Sequence, residues 1–148
     1  MILLLPDGPA PSPDPILDIL KSTRTIAVVG ISSKRQRPSH EVSLYLLKAG
    51  YRIVPVNPNE SEVHGLRCYA SLEEFPEAID VVDVFRRPAE VPPVADSAIR
   101  KGASVLWLQQ GIIHRDAGEK ARAAGLMVVM DACMLVEHRR RVQALSAG

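Results

Sequence analysis

Residues Thr25-Ile-Ala-Val-Val-Gly-Ile-Ser-Ser-Lys-Arg-Gln-Arg-Pro-Ser39 decide how this chain is read. Ile26–Val29 is an unbroken apolar run, the pattern of a strand buried on both faces. The run stops at Gly30, passes through a loop bearing Lys34, Arg35 and Arg37, and enters a helix near Pro38, where a proline suits the first turn. A strand, a glycine loop and a helix amino terminus in succession are how many α/β proteins hold a phosphorylated ligand.

The same rhythm repeats downstream. The helix predicted from Pro38 to Ala49 sets Val42, Tyr45, Leu46 and Ala49 on one face, and Gly50 ends it. Tyr51–Val56 reads as a second strand, with Pro55 favouring an edge or terminal position. Asp80–Phe85, Ala103–Leu108 and Leu126–Met130 read as three more strands. Helical patterns follow Pro88, span about 116–124, and run from Met134 to about Leu145. Between the second and third strands, His64-Gly65 marks a turn and Ser71-Leu-Glu-Glu74 a capping box.

Alternating strands and helices predict an α/β, Rossmann-like, doubly wound parallel five-stranded sheet of order 3-2-1-4-5, with helices on both faces. Ligands then bind beyond the carboxyl ends of the strands, where strands one and four diverge. The expected organisation is one domain over residues 1–148. Within it, residues 1–24 form an amino-terminal arm and short helix packed on the core. Five of the twelve prolines fall in residues 1–15, which suits an irregular strap. Asp14 and Pro15 then mark the N-cap and first position of a short helix carrying Ile16, Leu17, Ile19 and Leu20.

Bulk properties exclude several classes of partner. The 148 residues are 47% hydrophobic and 24% charged, with a formal net charge of +1. That balance argues against broad electrostatic attraction to nucleic acid or membrane. No apolar run approaches the roughly 20 residues needed to span a bilayer. Pro6, Asp7 and Gly8 interrupt the opening apolar residues, and no basic segment precedes them, so no signal peptide is expected. The two cysteines, Cys68 and Cys133, are too few for a disulfide framework, and a cytoplasmic setting is expected.

The residues after each strand carry the candidate chemistry. Gly30 stands where a backbone turns tightly or approaches a ligand closely. Ser32, Ser33 and Ser39 add hydroxyl and amide donors beside the three cations, a set that suits a pyrophosphate or sugar phosphate. A dinucleotide fingerprint would need Gly-x-Gly-x-x-Gly and an acid ending the second strand. This loop has one glycine, and the second strand ends in Asn57-Pro58, which disfavours NAD. Phe85-Arg-Arg-Pro88 places two guanidinium groups after the third strand, a geometry that matches phosphate. Gln109 ends the fourth strand, where it could hydrogen-bond a ligand amide or cap a turn. Cys133 precedes a helix, where a thiol can be acidified, although a small buried cysteine is the commoner outcome. His40, His64, His114 and His138 have no metal-ligand spacing, and neither a nucleophile elbow nor a P-loop is present. The pattern supports a binding site better than an active site.

Taken together, these stretches resemble the small stand-alone CoA-binding domain proteins, relatives of the CoA-binding half of the succinyl-CoA synthetase α subunit. The pieces that carry the resemblance are Ala27-Val-Val-Gly-Ile-Ser32, Arg37-Pro-Ser39, Gly50-Tyr-Arg-Ile-Val-Pro-Val-Asn-Pro58, Gly65, Tyr69-Ala-Ser-Leu72, Val81-Val-Asp-Val-Phe-Arg-Arg-Pro88, Val105-Leu-Trp-Leu-Gln-Gln-Gly111 and Val128-Val-Met-Asp-Ala-Cys133. They run in order from about residue 25 to 141.

The resemblance implies coenzyme A or an acyl-CoA as ligand. Its phosphates would lie on Gly30, Ile31, Ser32, Ser33, Lys34, Arg35, Arg37, Pro38 and Ser39. Its adenine and ribose would lie against Val56, Asn57 and Pro58 and against Phe85, Arg86, Arg87 and Pro88. The pantetheine arm would run toward Gln109 and Cys133. Two positions depart from the family pattern: Asn59 stands where a lysine is common, and Ala132 where Asp-Arg-Cys is common. The function expected is CoA binding without autonomous catalysis. Two alternatives remain open: an acyl-CoA ligase or transferase component that needs a partner chain, and a redox sensor in which Cys133 pairs with CoA. Whether the chain forms a homodimer is not legible in the sequence.

Overall fold

The apolar runs become one six-stranded sheet in a computed structural model that describes residues 1–9 and 12–147. The strands are β1 (Ile2–Leu4), β2 (Thr25–Val29), β3 (Arg52–Val56), β6 (Val81–Val84), β7 (Val105–Leu108) and β8 (Met127–Met130), ordered β1-β8-β7-β6-β2-β3. A two-residue hairpin pair, β4 (Glu62–Val63) and β5 (Leu66–Arg67), stands apart. All sheet pairings are parallel except β1 with β8.

Side chains alternate along each central strand, so β2 serves both layers. Ala27 and Val29 pack with helices α3 (Val91–Lys101) and α4 (Arg115–Ala123). Ile26 and Val28 pack with α1 (Pro15–Ser22), α2 (Pro38–Lys48) and α5 (Met134–Arg140). The expected final helix breaks at Arg141 into α5 and a short α6 (Val142–Ala147). Arg141 binds both Asp14 and Glu137, which ties this end of the chain to the start of α1. Asp14 caps α1 as expected, accepting from Leu17 N at 3.2 Å, with Pro15 in the first turn.

The expected strand order needs correction. Counting only the parallel strands, the order is 2-1-3-4-5, with the third strand between the first and the fourth. An order of 3-2-1-4-5 would have put β3 inside the sheet, where Pro55 has no N–H to donate to a neighbour. In the structure β3 is the edge of the sheet. Its outer side meets only a short bridge, where Pro55 O accepts from Tyr69 N at 2.9 Å. Strand Val81–Val84 is buried at every residue and takes the interior place beside β2. The strap over residues 1–15 is also corrected in part. Ile2–Leu4 is a sixth strand, antiparallel to Val128–Met130. The expected residues Ala10 and Pro11 of that strap lie outside those described.

Candidate ligand-binding cleft

In a doubly wound sheet the crevice opens where consecutive crossovers leave a strand in opposite directions. Here that strand is β2: the chain goes from it to β3 on one side and then to β6 on the other. The switch point is therefore between β2 and β6, not between β2 and β7. A cleft of about 920 Å³ lies there, walled by the three loops that leave β2, β6 and β7, with Asn57, Asn59 and Glu60 from the loop after β3.

Gly30 sets the geometry where β2 and β6 end. Its φ is +86°, a value that favours glycine. A Cβ placed on it would lie 2.4 Å from the carbonyl oxygen of Phe85 and 3.2 Å from Arg86 Nε. The close approach that requires glycine is thus to the neighbouring strand end rather than to a ligand. Phe85 N donates to Val29 O at 2.8 Å, and Gly30 N to Val56 O at 2.9 Å, so the three strand ends are knit together at this level.

Beyond Gly30 the loop turns upward. Ser32 Oγ accepts from Lys34 N at 3.1 Å, and Arg37 N donates to Lys34 O at 3.1 Å. Arg37 is the N-cap of α2 and supplies no side-chain cap, so the helix presents its amide end to the wall formed by Arg37, Pro38 and Ser39. Across the cleft, Arg86 and Arg87 follow β6, and Arg87 Nε lies 3.6 Å from Glu90, an exposed pair of little strength. The β7 loop is pinned from below: Gly111 N donates to Asp131 Oδ1 at 2.7 Å, and Asp131 N to Ile112 O at 3.2 Å. Asp131 holds φ +57° to do this.

Gln109 is the polar group at the floor. It is 5% exposed, it lines the cleft, and its Oε1 has no hydrogen-bond partner among the described residues. A buried carbonyl without a donor is costly, and one that borders a cleft is a natural acceptor for a ligand N–H.

Of the eighteen residues expected at the site, Gly30, Ser32, Ser33, Lys34, Arg37, Pro38, Ser39, Asn57, Phe85, Arg86, Arg87, Pro88 and Gln109 line this cleft. The other five lie elsewhere. Ile31 and Val56 are buried in the two apolar layers, because the chain alternates into the core at these positions. Arg35 and Pro58 are exposed, and Cys133, half-buried against the α1/α2/α5 layer as the N-cap of α5, is absent from the wall. Asn57 is in the wall, but its side chain is already engaged: Nδ2 donates to Ile31 O at 2.8 Å and Oδ1 accepts from Asn59 N at 2.9 Å. The expected set lacks six residues that also line the cleft: Asn59, Gln110, Gly111 and Ile112, which adjoin expected stretches or strand ends, and the acids Glu60 and Glu90. Acids are a weak signal for a phosphate site, and only the folded turn brings Glu60 to the first loop.

The hairpin β4–β5 closes on His64 and Gly65, both with positive φ (56° and 75°). His64 Nε2 lies 2.8 Å from Ser43 Oγ, and its ring packs on His40 with centroids 4.6 Å apart. Burial, then the neighbouring His40, hold the His64 pKa below its usual value. These contacts anchor on α2 the segment that carries Asn59 and Glu60.

A mostly parallel, doubly wound sheet with a cation-lined cleft at its switch point is the Rossmann-like arrangement in which ligands bind beyond the strand ends. The chain belongs to the CoA-binding domain family, whose pattern it matches over residues 24–139. The Bacillus subtilis protein YneT, described as uncharacterized, is 41% identical over 128 residues, which cover 86% of this chain and 95% of that protein. A hypothetical protein from Pyrococcus horikoshii has a similar solved structure: TM-score 0.86, 39% identity, 92% of this chain and 99% of that one. An ADP-forming acetate–CoA ligase of Archaeoglobus fulgidus is 30% identical over 81 residues, 53% of this chain but 12% of the ligase. No helix among the described residues is long and apolar enough to cross a membrane.

Proposed function

We infer that the chain binds coenzyme A or an acyl-CoA in the cleft between β2 and β6, and that it carries out no catalysis by itself. The observation that carries this reading is the convergence of Lys34, Arg37, Arg86 and Arg87 from two strand-end loops around a buried, unpartnered Gln109 carbonyl. CoA carries a pyrophosphate, a 3′-phosphate and a pantetheine arm with two amides. The cations match the phosphates, since guanidinium groups recognise phosphate in a paired geometry. The Gln109 carbonyl matches an amide N–H. Family membership and the likeness to acetate–CoA ligases support the same ligand class.

In this reading the phosphates lie against the wall from Ser32 to Ser39, and the nucleoside lies between Asn57 and the Phe85–Pro88 turn. Phe85, half-buried against the α1/α2/α5 layer, borders the cleft there. The thioester end would point past Gln109. CoA would supply the acyl-carrying thiol; the chain's own residues bind and orient it. The likeness to the ligases covers 12% of the Archaeoglobus chain, and in this reading any use of the bound thioester takes a further catalytic domain or a partner chain, in a cytoplasmic setting.

Isothermal titration with CoA, 3′-dephospho-CoA and NAD tests the proposal. CoA is expected to bind more tightly than its dephospho form by about tenfold, one charge-assisted contact's worth. NAD is expected to bind weakest. Lack of CoA binding at millimolar ligand would overturn the reading.

A further inference from the structure

The turn after β3 brings an acid into the cationic wall. Asn57 builds the turn: besides its bonds to Ile31 O and Asn59 N, its carbonyl accepts from Glu60 N at 3.3 Å. The Glu60 side chain is thereby set against the first loop. Its Oε2 accepts the Ser33 backbone N–H at 2.7 Å, and its Oε1 accepts from Ser33 Oγ at 3.0 Å. No salt bridge among the described residues involves Glu60. Ser33 is therefore its charge-assisted partner, although Lys34 and Arg37 share the wall.

An amide and a hydroxyl of one residue, converging on two oxygens of one anion, are the donors that a phosphate group would take from this loop. The carboxylate occupies both. Meanwhile Glu90 faces Arg87 on the opposite wall at 3.6 Å. The cleft thus carries anions of its own on each side.

We propose that Glu60 is an internal anion that competes with a ligand phosphate for the Ser33 donors, so that these two donors are closed to other anions until this carboxylate is displaced. The proposal rests on the CoA reading only for one of its probes. Ligands with a single anionic group meet the full displacement cost at Ser33, whereas a ligand that also engages Arg86 and Arg87 offsets it from the far wall. The Asn57 brace keeps the competitor close, and only the Glu60 side chain has to swing aside.

The test compares the wild-type chain with Glu60→Gln, Glu60→Ala and Glu60→Asp. The first weakens the competitor, the second removes it, and the third keeps the charge but shortens its reach by a methylene. Titrated with CoA, Glu60→Ala is expected to bind about two- to fivefold more tightly than wild type, the upper part of the range that exposed charged contacts span. Glu60→Gln falls between, and Glu60→Asp follows Glu60→Ala rather than wild type. A second arm follows the Ser33 amide resonance during titration with inorganic pyrophosphate. In Glu60→Ala it should respond at lower pyrophosphate than in wild type. Equal or weaker binding by Glu60→Ala and Glu60→Gln, or a Ser33 amide that ignores pyrophosphate in Glu60→Ala, overturns the proposal. If CoA binds none of the four proteins, the functional reading fails and the pyrophosphate arm alone decides the role of Glu60.

Discussion

Asp83 and Gln109 pose the same physical problem a short distance apart, and the protein treats them differently. Asp83 pairs in register with Trp107 on the adjacent strand, and Gln109 lies two residues beyond Trp107. Both side chains follow the alternation toward the α1/α2/α5 layer, and both are buried with oxygens that lack partners among the described residues. Asp83 lies among the residues of the sheet interior, beside Val28 on one side and Trp107 on the other. Burial pushes its carboxyl up to about 8, so at neutral pH it keeps its proton and stays neutral. Gln109 lies at the level of Phe85 and Gly30, where the sheet ends and the cleft begins. A polar group inside the core is tolerated by losing its charge; at the mouth it can be left for a ligand. The level of Gly30 separates the two situations.

That boundary can be broken first. Gly30→Ala must place a methyl against Phe85 O and hold a positive φ, so we expect a loss of about 2–5 kcal/mol of stability, read from denaturant midpoints. CoA affinity should fall with it, since the strand ends that frame the cleft must move apart. Unchanged stability would mean that the β2 and β6 ends are not held together at Gly30.

Next in size is the pH dependence from Asp83. Its folded pKa is raised, so between the ordinary carboxylate range and about 8 the folded chain holds a proton that the unfolded chain has released. Stability from this group is present at low pH and is lost as pH rises toward 8, by at most about 1.4 kcal/mol per pH unit. Asp83→Asn should remove that slope while leaving CoA affinity as it was. A wild-type stability curve flat from pH 5 to 8 would show that Asp83 is not protonated in the fold.

Gln109→Leu should do the reverse. It removes a buried carbonyl of similar volume, so stability should hold or rise slightly, and CoA affinity should drop by about 1 kcal/mol, a loss of roughly fivefold. Equal effects of the Asp83 and Gln109 substitutions on affinity would erase the distinction between them. The smallest effect is expected at Arg87, already near Glu90: Arg87→Ala should weaken CoA by less than Arg37→Ala or Arg86→Ala, as titrations at fixed ionic strength would reveal.

Much of this was legible from the chain itself. The apolar runs and their glycine stops located every parallel strand, since strands covered on both faces cannot hide in composition. The cations of the cleft were legible because they follow strand ends. The order of strands was not, although Pro55 held a clue: a residue without an N–H favours an edge or a strand end, and that preference weighs against the order 3-2-1-4-5. Ile2–Leu4 gave no strand signal, because three apolar residues before a proline-rich segment read equally well as a strap, and its partner lies far along the chain. Glu60 was invisible for a related reason. Its role depends on a turn that folds it across to Ser33, a contact 27 residues away in sequence.

The edge strand carries a consequence for how the chain comes together. Residues 2–4 pair with residues 130–128, and Asp14 binds Arg141. Contacts of such long sequence separation form late, because the closure entropy of the intervening chain must first be offset by the sheet that lies between. During synthesis the first strand therefore waits beside an unfinished edge until the last strand has emerged. The amino-terminal segment covers the β8 edge, and removing residues 1–4 should leave β8 exposed and open to pairing with other chains.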